Sequence, residues 1–119
     1  MRVSLAITVL LLSISYSTVA KDVDCSQIKV LNSAEAIACS KKTYAEMNAL
    51  YEQLFKRFKG VTPDISEDFK KSQKDWLVFR SSYCNFVFNL KPATNQADNT
   101  LNTCFTMTNL ERLSQFKDF

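Results

Sequence analysis

Apolar residues through the middle of the chain recur every three or four positions. Met47, Leu50, Tyr51, Leu54, Phe55 and Phe58 keep that spacing, which sets them on one side of a helix turning about 100° per residue. Thr43-Tyr-Ala-Glu46 stands before the stripe as a capping box, whose hydroxyl and carboxylate take up amide donors that a helix start leaves unpaired. Gly60 follows the stripe and is expected to end the helix in a left-handed conformation. Thr62-Pro63 restarts the chain, because a proline in the first turn gives up only a donor that has no partner there.

A longer helix is expected from about Asp64 to about Leu90, roughly 40 Å at 1.5 Å per residue. Phe69, Gln73, Trp76, Arg80, Cys84 and Val87 fall within roughly a quadrant of it. A glutamine and an arginine therefore occupy the face that this helix should bury. Ser33 to Cys39 reads as a short first helix with Ser33 as its N-cap. A last helix, from about Thr100 to Phe116, lines up Leu101, Cys104, Phe105, Thr108 and Arg112. Lys91-Pro92 closes the long helix, and Ala93 to Asn99 reads as irregular. One glycine and two prolines in 119 residues leave few breakers, and no mature segment sustains the alternation of a strand. The expected class is all-α: a small bundle of three to four helices, stapled by disulfides, with a long central helix.

The first twenty residues stand apart from that pattern. Met1-Arg2, the apolar run Leu5 to Ile14 and the small residues Ser17 to Ala20 have the layout of a cleaved signal peptide over residues 1–20. The apolar run is shorter than the ~20 residues a membrane span needs, so no stable membrane anchor is expected after cleavage. Residues 21–119 are then one domain, exported to the periplasm or secreted. Removing Arg2 leaves fourteen basic against twelve acidic residues, a net charge of +2. Lys56, Arg57, Lys59, Lys70, Lys71 and Lys74 flank the Gly60 turn and read as a solvated face. Nucleic-acid binding would interleave aromatic residues with those charges, and here the aromatics lie on the opposite stripe.

Export also decides the cysteines. Cys25, Cys39, Cys84 and Cys104 are an even set in an oxidising compartment, so two disulfides are expected. Four cysteines allow three connectivities. Antiparallel packing of the two helices around Gly60 brings Cys84 near both Cys39 and Cys104. Cys25 with Cys39 and Cys84 with Cys104 is the favoured pairing, since each closes a local loop. A metal is not expected, because close cysteine pairs and histidines are both missing.

The order Asp24-Cys25, Ser33-Ala-Glu35-Ala-Ile37-Ala-Cys39, Gln73-x-x-Trp76-x-x-x-Arg80-x-x-x-Cys84 and Cys104-x-x-x-Thr108-x-x-x-Arg112 resembles the LprI-type lysozyme-inhibitor domain. The resemblance covers nearly all of the mature chain. It implies a small exported helical protein, and, for one branch, inhibition of lysozyme. Two positions depart from the family pattern. Asn48 stands where an aspartate is usual, and Phe55 where a tyrosine often follows. Arg80 therefore lacks one familiar acidic partner. The acceptors expected for it are Glu35, which the family pattern also carries, then Asn48 and the open carbonyls of a helix end. Glu35, Gln73 and Arg80 are read as a polar pin between helices, and Trp76 as a core anchor.

Catalysis is not expected. No histidine is present to act as a base, paired cysteines leave no thiolate, and one glycine cannot build a phosphate loop. No cofactor is implied. The expected role is contact: an exported binding protein that inhibits a lysozyme by surface occlusion or engages another envelope protein, with Asp64, Glu67, Asp68 and Asp75 as the acidic surface on offer. The alternative role is a periplasmic structural or stress-related protein that meets envelope polyanions through its lysines. The sequence names no oligomeric state.

Overall fold

The computed structural model describes residues 23–27, 32–90 and 97–119, without the side chains of 97–99. The expected signal peptide and the Lys91-Pro92 stop lie outside the described residues, as does the start of the stretch read as irregular. Three helices follow in order: α1 (Ser33–Lys59), α2 (Pro63–Leu90) and α3 (Ala97–Lys117). α1 and α2 form an antiparallel hairpin, and α3 returns beside α1 in the same direction, packing mainly against it.

α1 is one helix where the sequence suggested two. Asn32 is its N-cap: the side-chain oxygen accepts from the Glu35 backbone N–H at 2.9 Å, and the amide nitrogen donates to the Glu35 carboxylate at 2.6 Å. Ser33 is already helical. Thr43 caps nothing, because its hydroxyl donates to the Cys39 carbonyl one turn back at 2.7 Å. A buried threonine can satisfy itself in that way without interrupting the helix.

The turn also differs from expectation. Gly60 stays right-handed, at φ −74° and ψ −14°, with its N–H shared between the Arg57 and Lys56 carbonyls at 3.2 and 3.3 Å. Glycine is not required there by its backbone. α2 starts as expected, with Pro63 in the first turn and the Thr62 hydroxyl accepting from the Ile65 N–H at 3.3 Å. α3 begins at Ala97, so part of the stretch read as irregular is helical.

The main apolar core lies toward the Gly60 end. Met47, Leu54, Phe69, Leu113 and Phe116 are buried together, with Tyr51, Phe55, Phe58 and Trp76 packed around them. Phe69 is the hub. Its ring meets Tyr51 at 5.1 Å, Phe58 edge-on at 5.0 Å and Phe116 at 5.5 Å between centroids, the offset and edge geometries that aromatic quadrupoles favour. At the other end Cys25 is joined to Cys39 and Cys84 to Cys104, the local pairing. The first bridge holds the segment at Val23 and Cys25 against Ala36, and the second ties α2 to α3.

Candidate functional site

Between the aromatic core and the sulfur bridges, the three helices meet along a polar seam. α1 contributes Thr43 and Tyr44, α2 contributes Trp76 and Arg80, and α3 contributes Phe105, Asn109 and Arg112. Asn109 is fully buried, and it survives there because both ends of its amide are used. Its oxygen accepts from Arg80 Nη1 at 2.6 Å, and its nitrogen donates to Thr43 Oγ1 at 3.1 Å and the Ser40 carbonyl at 3.3 Å. One amide thus links all three helices. Thr106 and Thr108 are buried nearby, each donating to a carbonyl of its own helix.

Aromatic rings surround the cations. The Arg80 guanidinium carbon lies 4.8 Å from the Phe105 ring centre, 5.1 Å from Tyr44 and 5.8 Å from Trp76. Arg112 lies 4.8 Å from Phe116 and 5.6 Å from Trp76, so the indole sits between two guanidinium groups. Ring faces attract cations electrostatically, and more strongly where water is excluded. Arg112 also donates to Gln73 at 3.0 Å, Ser72 at 3.0 Å and Gln115 at 2.8 Å. Neither arginine has a carboxylate partner among the described residues. Burial lowers the pKa of both, with the Tyr44 hydroxyl partly opposing this at Arg80, yet a guanidinium keeps its charge. The buried Nε of Arg80 has no acceptor among the described residues.

The expected partners of Arg80 are corrected by this geometry. Glu35 lies at the start of α1, where its carboxylate accepts from Asn32, and Asn48 is exposed. Gln73 is buried but pairs with Arg112, while its amide nitrogen approaches the Met47 sulfur at 3.9 Å. Trp76 is half-buried at the edge of the core. Asp64, Glu67, Asp68 and Asp75 are all exposed, and Asp75 pairs with Lys71 at 2.6 Å. The six basic residues around the turn are exposed as well.

Asn109 went unread in the sequence, although it interrupts the apolar line Phe105, Leu113, Phe116 at helical spacing. A second omission is the outer side of α2, where Phe79, Tyr83, Phe86 and Leu90 are all exposed. The described residues contain no group of three or more His, Cys, Asp or Glu placed to hold a metal. They contain no helix long and apolar enough to cross a membrane.

A family model described as "Lysozyme inhibitor LprI" matches residues 25–116, from the first bridged cysteine to the buried Phe116. Neither the curated proteins nor the solved structures yield a match.

Proposed function

This chain belongs to the lysozyme inhibitor LprI family, and we propose that it is an exported, non-enzymatic binding protein that inhibits a lysozyme by covering its cleft. The observation that carries this reading is how the reactive groups are used. All four cysteines are bridged, and the buried polar side chains bond one another or their own helices. Their work is to hold the helices together, which leaves the outer surface for partners. Inhibition by occlusion needs a stiff surface and no reactive group. Animal lysozymes are commonly basic, so steering toward one falls to the exposed acids Asp64, Glu67 and Asp68, not to the net charge. A turbidity assay with purified oxidised protein and a c-type lysozyme tests the proposal. Slower lysis at micromolar protein is the expected result, and an unchanged rate refutes it.

A second reading rests on the exposure of Lys56, Arg57, Lys59, Lys70, Lys71 and Lys74 around one turn, a layout suited to an envelope polyanion. Cosedimentation with peptidoglycan that weakens as salt rises would favour it.

A further inference from the structure

The C-terminal half of α2 has two apolar faces, and the fold uses one. Phe79, Tyr83, Phe86 and Leu90 follow at steps of four, three and four, the 3.5-residue repeat of a seam between two helices. They lie roughly a quarter turn from the line of Gln73, Arg80 and Cys84 that faces α1 and α3. Their exposures are 57%, 44%, 57% and 65%, against 8% or less for the buried core. The Phe79 and Tyr83 rings stack at 5.6 Å and 14°, which makes a flat apolar ledge.

Charge is missing from this surface. From Val78 to Leu90 the exposed residues are Val78, Phe79, Ser81, Ser82, Tyr83, Asn85, Phe86, Asn89 and Leu90. The segment's one ionic side chain, Arg80, is bonded to Asn109 in the seam. We propose that the ledge pairs, antiparallel and about a two-fold axis, with the same ledge on a second copy of this chain.

Three observations select that occupant. The 4-3-4 spacing fits knobs from a helix, and an axis between Tyr83 and Phe86 sets Phe79 against Leu90 of the second copy and Tyr83 against its Phe86. Along Val78–Leu90 two copies related in this way face each other with no outward charge, whereas a charged enzyme surface laid on the ledge would lose water from its ions without gaining partners. The composition is that of a homodimer interface, apolar at its centre and depleted of ionic residues, with Ser82 and Asn89 beside it as a polar rim. The four side chains offer about 300–400 Å² of apolar surface per copy, taking aromatic side chains at 150–250 Å² each when fully exposed. Patches of that size mark binding sites on small proteins, and the rim extends this one toward the ~800 Å² per partner of a stable complex.

Sedimentation equilibrium on the oxidised protein tests this inference separately from lysozyme inhibition. The expected mass is that of a dimer at tens of micromolar. Phe86→Asp should raise the dissociation constant by about a hundredfold, leaving the far-UV spectrum and the dilute melting temperature unchanged because the side chain is exposed. Leu90→Lys, at the edge of the ledge, should act in the same direction and serves if Phe86→Asp does not fold. A monomeric wild type at roughly 100 µM overturns the proposal, as does a dimer that withstands both substitutions. A monomeric wild type whose lysozyme inhibition is lost in Phe86→Asp overturns it too, and assigns the ledge to the enzyme.

Discussion

Near Gly60 the three helices are joined by rings, while beyond Arg80 they are joined by amides, hydroxyls and sulfur. Phe69 meets Tyr51, Phe58, Phe116 and Phe119 at the first end. At the second, the fully buried interior includes Ala36, Thr43, Thr106 and Asn109 beside the cysteines. Large aromatics bury much area per residue, so the first end is stabilised by removal of apolar surface from water. Small and polar side chains cannot supply that, and both disulfides lie where they are found. A domain of this size has little core to spare, and its covalent links reinforce the end with less of it.

Truncating the ring cluster should have the largest effect on this contrast. Phe116→Ala removes an almost wholly buried ring and should cost about 4 kcal/mol in urea unfolding. A cost below about 1 kcal/mol would mean that the rings are not what holds this end.

Next comes the second bridge. Replacing Cys84 and Cys104 together by alanine should cost about 3 kcal/mol. Amide exchange should accelerate first in the C-terminal half of α2 and the start of α3, with the residues around Phe69 still protected. Uniform acceleration along all three helices would show the two ends to be one cooperative unit.

A smaller loss, about 1–2 kcal/mol, is expected for Arg80→Met. The charged hydrogen bond to Asn109 and the ring contacts disappear, but so does the burden of half-burying a cation. An unchanged melting temperature would leave the seam without an energetic role. Smallest of all should be Gly60→Ala, within about 0.5 kcal/mol of neutral. The right-handed backbone accepts a side chain, and the added Cβ meets the Arg57 carbonyl at 3.4 Å.

The ring end was the more legible in sequence, and the contrast explains why. The stripe from Met47 to Phe58 announces a helix and its buried side together, and the Gly60 turn after it gives the hairpin; the cysteine pairing was favoured on the separate ground that each bridge closes a local loop. At the polar end the same side chains carry two meanings. Thr43-x-x-Glu46 has the form of a helix start, yet the hydroxyl is satisfied from within a continuous helix. Arg80 was recognisable as a cation facing inward, but its acceptor is an amide 29 residues away on α3, and only tertiary packing selects that over a nearer carboxylate. The outer ledge of α2 was masked by the core stripe beside it, because a helix apolar on two faces blurs the period that identifies either.

The polar seam has one more consequence. Among the described residues, the six buried polar side chains are threonines, a serine, a glutamine and an asparagine, and the half-buried cations of the seam are arginines. None of these groups gains or loses a proton between mild acid and mild alkali. Acidification of the surroundings therefore leaves the joints between the helices chemically as they were.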